Sequence, residues 1–314
     1  MTTFEHLDRW LAAGEITVGQ HVTISALARK QRLSVFVELN ALLYLGVLSL
    51  AGGFAWTASA YSAKWGDVAI LLPATAVLGG CLYYCFSRAA AYSAEQVPPP
   101  SLVFDYVLYL GCLVFAVELG YVEYRFHLLQ ADWDYYLLAS ALAYLVLAYR
   151  FDNLFVLSLA IATLGGWFGF RFSHVAFFFD NSIRACALAY GAIVATVGVW
   201  LHGAGIKRHF LETYLHVAAN VLLAALVSGV LAGNTTLMWP LGLLAASGAA
   251  IAGGVRFRRF SFVVYGVIYG YVGVSRELLR EAQNPTAVLS YLVISAAVVI
   301  GCLVALSRRF GREE

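Results

Sequence analysis

The chain has 314 residues, 61% of them hydrophobic and only 12% charged, about half the charged share of a soluble globular protein. That composition excludes a soluble domain. Lys and Arg number 20 against 18 Asp and Glu, a balance that offers no basic face to nucleic acid. The five cysteines, Cys81, Cys85, Cys112, Cys186 and Cys302, lie in or beside apolar runs, so neither a disulfide framework nor a zinc ribbon is expected.

Residues 1–35 form the one sizeable polar stretch and read as a small cytoplasmic helical hairpin. Glu5, Asp8 and Glu15 interrupt it, which no signal peptide tolerates. Thr2 with Glu5 and Thr17 with Gln20 have the spacing of capping boxes. Phe4, Leu7, Trp10 and Leu11 recur at helical intervals, and Gly14 sits where the first helix stops. So short a segment cannot bury enough surface to fold alone, so it must rest on the membrane body or on a partner.

The run Leu7-Asp8-Arg9-Trp10-Leu11-Ala12-Ala13-Gly14-Glu15-Ile16-Thr17-Val18-Gly19-Gln20, followed by Ala41-Leu42-Leu43-Tyr44-Leu45-Gly46 in the first apolar helix, resembles a family signature. The family is one of uncharacterised bacterial inner-membrane proteins, a domain of unknown function, DUF2157. A fainter match falls at Tyr149-Arg150-Phe151-Asp152-Asn153. The resemblance implies a multi-pass inner-membrane protein and brings no activity, substrate or cofactor with it.

Apolar stretches of spanning length fall near 37–58, 68–88, 102–121, 134–150, 154–170, 185–206, 210–231, 236–255, 260–275 and 286–306. The expected fold is all-α, a polytopic transmembrane bundle of about ten spans over residues 36–306, with a basic tail at 307–314. Arg150 to Asn153 is a tight hairpin turn. With the N-terminus cytoplasmic, most loop Lys and Arg, including Arg88, Arg150, Lys207, Arg208, Arg256, Arg258 and Arg259, fall inside. This matches the positive-inside rule and leaves both termini in the cytoplasm.

Between helices in lipid, close contact depends on small residues four apart. Ala245, Ala249 and Gly253, then Ala246, Ala250 and Gly254, form such stripes, and Gly266 and Gly270 another. These two helices should be tight neighbours within the chain, with a homo-oligomer through the Gly266/Gly270 face as the alternative. The lipid bilayer is the expected surrounding, and the N-terminal hairpin the other surface for a protein partner.

Ionisable residues at membrane depth are costly and point to cavities or partners. Glu38 and Asn40 fall in the first span and Asp105 in the third. Arg208, Glu212, His216 and Asn220 recur every fourth residue, on one helix face. Glu38, Asp105, Glu212, His216 and Asn220 are therefore the candidate substrate- or ion-binding residues of a cytoplasmic-side vestibule. The bland alternative pairs Arg208 with Glu212 and leaves His216 and Asn220 as interhelical bonds. An i, i+4 pair supplies only two metal ligands, with His202 the one candidate third, and no metal or cofactor is expected. Three roles stay open: a transporter or channel-like protein, a noncatalytic scaffold or sensor acting through the hairpin, and a lipid-modifying enzyme using Glu212 and His216 as acid and base.

Overall fold

The computed structural model describes residues 9–21, 66–173, 182–232, 237–280 and 284–310, together with residue 282 and isolated positions between 45 and 57. Among them the regular elements are all helical. In the N-terminal segment, Gly14 takes a left-handed φ of 73°, and the Glu15 N–H reaches back to the Trp10 carbonyl at 2.9 Å. This is the glycine stop expected there. The next start is a closed capping box: the Thr17 N–H donates to Gln20 Oε1 at 2.8 Å and the Gln20 N–H to Thr17 Oγ1 at 3.3 Å. Thr2, Glu5, Glu38 and Asn40 lie outside the described residues.

The long helices among the described residues are α1 (Asp67–Arg88), α2 (Leu102–Phe126), α3 (Tyr135–Phe151), α4 (Leu154–Ser173), α5 (Ser182–Gly203), α6 (Leu211–Leu231), α7 (Met238–Arg256), α8 (Phe260–Leu278) and α9 (Pro285–Phe310). They coincide with the second to tenth apolar segments read from the sequence. The first segment lies outside the described residues except for isolated positions. Seven helices, α1, α2, α4, α5, α6, α7 and α9, are long and apolar enough to cross a membrane. α3 has 17 residues, and α8 has 19 but falls short in apolarity.

Consecutive helices pair as hairpins, α1 with α2, α3 with α4, α5 with α6 and α7 with α8, and α6 also touches α4, α7 and α8. One core runs from Cys85 and Phe104 through Tyr144, Leu157 and Tyr190 to Tyr214 and Ala218, and a second joins α6 to α7 at Leu223, Trp239 and Leu243. Lipid supplies no hydrophobic force between helices, so contact must come from small residues and interhelical hydrogen bonds. Both are present. A Cβ on Gly198 would lie 2.6 Å from Tyr214, and one on Gly266 2.6 Å from the Ser247 carbonyl. The Tyr144 hydroxyl donates to the Cys112 carbonyl at 2.8 Å, the Tyr149 and Tyr214 hydroxyls meet at 3.0 Å, and the Tyr190 hydroxyl bonds the Ile161 carbonyl.

The Gly266/Gly270 face is filled by α7 of the same chain, with Ser247 and Ile251 against it. The outer surface carries large apolar side chains such as Val146, Trp200, Leu241 and Val298, a liability in water and the expected lining toward lipid. α9 buries none of its apolar stretch. Polar contacts tie it to α8, among them Tyr271 to Ser295 at 2.9 Å and Ser275 to Tyr291 at 3.2 Å.

Candidate functional site

Alternation of the helices gathers the connections after α1, α3, α5 and α7 at one end of the bundle. Two tight turns there have cap chemistry written in their sequence. After α3, Asp152 takes a left-handed φ of 58°, which Asp tolerates better than most residues. Asn153 then starts α4, its Oδ1 accepting from the Val156 N–H at 2.9 Å, as an N-cap should. Its Nδ2 donates to Asp105 Oδ1 at 2.9 Å and to the Tyr109 hydroxyl at 3.2 Å. After α5, Gly205 has φ 77° and the Ile206 N–H closes onto the Leu201 carbonyl at 3.1 Å. This glycine stop delivers Lys207, Arg208 and His209 into the start of α6.

The two turns meet. Lys207 Nζ sits 3.0 Å from Asp152 Oδ2, their side chains 1% and 2% exposed, and His209 Nε2 lies 2.5 Å from Asp152 Oδ1. The same pair grips the extended segment 89–100. Asp152 accepts from the Val97 N–H at 2.5 Å, Lys207 Nζ donates to the Glu95 carbonyl at 3.0 Å, and the Lys207 N–H donates to the Ala94 carbonyl at 2.9 Å. Arg150 adds a bond to the Ala90 carbonyl at 2.9 Å. Space beneath the segment is about 10 Å³, room for one water at most. The cluster is a clamp on three connections, with no space for a ligand.

The sequence reading places Arg150 to Asn153 in a tight turn and Lys207 among the loop charges, and gives His209 no role. The usable signal was a short polar run in each of two turns, Asp152-Asn153 and Lys207-Arg208-His209. Their pairing depended on which hairpins adjoin.

Beside the clamp, a pocket of about 580 Å³ opens between the α5–α6 turn and the α7–α8 turn, within the range of small-molecule sites. Its polar lining is His202, Arg208, His209, Glu212 and Arg259. Leu211, Leu215, Phe257 and Phe262 provide apolar wall, and Ala249, Ala250, Gly253 and Gly254 keep the α7 side low. Arg259 Nη1 donates to Glu212 Oε2 at 2.7 Å. The His202 ring Nδ1 lies 3.2 Å from the Arg208 carbonyl. Two other hollows, of about 450 and 360 Å³, are lined chiefly by apolar groups.

Of the α6 stripe, Arg208 and Glu212 face this pocket. His216 lies deeper, its Nε2 3.5 Å from Glu212 Oε1 and its ring stacked on Phe262 with centroids 4.7 Å apart. Its Nδ1 is buried, with no hydrogen-bond partner among the described residues. Asn220 donates to the His216 carbonyl at 2.8 Å and accepts from the Tyr269 hydroxyl at 3.3 Å. The structure thus brings Glu212, His216 and Asn220 onto the face toward α8. Asp105 is held by Asn153 at the start of α4 instead, and it is not among the pocket's lining residues. Among the described residues, no three of His, Cys, Asp and Glu converge as metal ligands.

Residues 8–157 match the family model described as "Predicted membrane protein (DUF2157)". No curated protein and no solved structure matches the chain.

Proposed function

We propose, from the match of residues 8–157 to a membrane-protein family without an assigned activity, that this chain is a ten-span protein of the bacterial inner membrane with both termini cytoplasmic. In this reading it takes a small solute into the pocket at the basic end of its bundle and carries it across the bilayer. The carrying observation is the pairing of Arg259 with Glu212 at 2.7 Å on the wall of a cavity of about 580 Å³. Ionisable side chains from two helices facing one cavity are typical of substrate pathways. Glu212, with Arg208 and Arg259, is the proposed contact set, and His216 and Asn220 are its support from below. Asp105 and Glu38 remain candidates for a separate polar station on the same route.

The test is electrical. Full-length protein in proteoliposomes, probed by solid-supported membrane electrophysiology over a panel of inorganic ions, carboxylates, phosphates, amines and amino acids, should give a current for some solute class. Glu212→Gln should lose that current while keeping its elution profile. Silence of the wild type across the whole panel would remove the transport reading.

The scaffold or sensor reading draws on the capping box at Thr17 and Gln20, which gives the polar N-terminal segment a defined helix start. Removing residues 1–34 should then release a co-purifying partner and leave the bundle intact. The lipid-enzyme reading loses ground, because Glu212 is committed to Arg259.

A further inference from the structure

We infer that the pocket between the α5–α6 and α7–α8 turns recognises a phosphate-type oxyanion, seated on Arg208 with any attached hydrocarbon lying over Leu211, Leu215 and Phe262. The inference rests on the reading of this pocket as a ligand site and names its ligand class. Its basis is an imbalance of charge. The pocket is lined by two guanidinium groups, of Arg208 and Arg259, against the single carboxylate of Glu212. That carboxylate is already engaged, by Arg259 at 2.7 Å and His216 at 3.5 Å. His209 points its Nε2 away from a ligand, onto Asp152 at 2.5 Å.

Arg208 differs from the other charged groups here. Its guanidinium has no hydrogen-bond or ion-pair partner among the described residues, while its backbone is fixed: its carbonyl faces His202 at 3.2 Å, and the preceding residue is the clamped Lys207. A planar five-donor group on a rigid turn is suited to bidentate contact with a phosphate or carboxylate. The apolar walls make the rest of the pocket suited to hydrocarbon, and the bundle end is where headgroups lie. A neutral or cationic ligand would leave the Arg208 charge unanswered.

The shared chemistry comes from two sources, a phospholipid headgroup and a free phosphate, and two arms separate them. In the first, full-length protein in phosphatidylcholine nanodiscs doped with a minor fraction of phosphatidylglycerol is examined by native mass spectrometry. In the second, thermal unfolding in detergent is followed with inorganic phosphate against chloride. Preferential retention of phosphatidylglycerol assigns the lipid source, and a phosphate-dependent rise in the unfolding midpoint assigns the soluble one. Either preference should fall at least about tenfold in Arg208→Gln, a loss of about 1.4 kcal/mol of selectivity, and persist in good part in Arg208→Lys. Because Arg208 is exposed and has no partner among the described residues, its replacement should not disturb folding, which the elution profile checks.

Equal retention of both lipids with no response to phosphate overturns the inference, as does an Arg208→Gln protein that behaves like wild type. Panel currents without an oxyanion preference would remove this ligand class and spare the transport reading. Phosphatidylglycerol selectivity without any current would do the reverse.

Discussion

Asp152 and Lys207 meet at 3.0 Å across two interhelical turns, both side chains almost wholly removed from solvent. A buried pair of this kind is tolerable only when the remaining donors and acceptors are satisfied. Here they are, by Val97, His209 and Glu95, and Tyr92 lies beneath the ammonium with its ring 5.5 Å away. Removing one partner strands the other charge, at about 3–5 kcal/mol. Lys207→Met should therefore lower the thermal unfolding midpoint in micelles and expose the 89–100 segment to glutamyl endopeptidase at Glu95. The double variant Asp152→Asn with Lys207→Met should recover much of the loss. A single variant as stable and as resistant as wild type would show that the pair holds nothing together.

The α7–α8 contact predicts a graded series. A Cβ at Gly266 would stand 2.6 Å from the Ser247 backbone carbonyl, one at Gly270 would stand 3.3 Å from the Ser247 side chain, and one at Gly248 would meet nothing within 4 Å. Overpacking costs about 1–3 kcal/mol where the neighbour cannot move. Gly266→Ala should therefore fall in that range, Gly270→Ala well below it, and Gly248→Ala should be neutral or slightly stabilising through helix propensity. Unfolding midpoints of the three proteins in one detergent decide the order, and a flat series would contradict the helix contact.

Much of this was legible in the sequence because the physics was local. Span length, the Gly14 stop, the Thr17–Gln20 box, the tight turn at Arg150 to Asn153 and the small-residue stripes of α7 and α8 each depend on residues within a turn or two of one another. The α6 stripe was legible as a face but not in its division. Arg208 and Glu212 reach the pocket, while His216 and Asn220 are covered by Phe262, Tyr265 and Tyr269 of α8. That split depends on how far up α6 its neighbour closes. The cross-turn cluster of Asp152, Lys207 and His209 was invisible for the same reason, since nothing local says that the α3–α4 and α5–α6 turns touch. Asp105, grouped with Glu212 on shared depth alone, sits elsewhere around the bundle because depth does not fix azimuth.

His216 allows packing to be separated from chemistry. Its ring stacks on Phe262 with an interplanar angle of 8° and meets Tyr265 edge-on at 5.6 Å, while Nδ1 is buried and unbonded. A phenylalanine there would keep the ring contacts and remove the unsatisfied nitrogen, a defect of about 1–3 kcal/mol; it would also lose the 3.5 Å approach of Nε2 to Glu212, whose carboxylate keeps Arg259. His216→Phe should unfold at or above the wild-type temperature. His216→Ala should lose about 2 kcal/mol through the cavity it leaves. Solute currents should persist in the phenylalanine variant, because His216 does not line the pocket, and should vanish in Glu212→Gln. Loss of current in a stable His216→Phe protein would instead put the imidazole on the solute's route.

The charge of the bundle predicts its orientation, which labelling can read. The end that holds the pocket carries Arg88, Arg150, Lys207, Arg208, Arg256, Arg258 and Arg259, whereas the other carries Arg125, Arg171, Arg184, Arg276 and Arg280. At that second end the basic groups are largely matched: Arg125 pairs with Asp67 at 2.7 Å, Arg171 with Asp132 at 2.8 Å and Arg280 with Glu277 at 3.6 Å. Lys and Arg near span ends are retained on the cytoplasmic side, so the pocket should face the cytoplasm. With the five native cysteines replaced by alanine, a cysteine at Leu128, beyond α2, should react with a membrane-impermeant maleimide on intact spheroplasts. One at Ala204, beside the pocket, should react only after lysis. The opposite pattern would turn the pocket outward and make any solute it holds an external one.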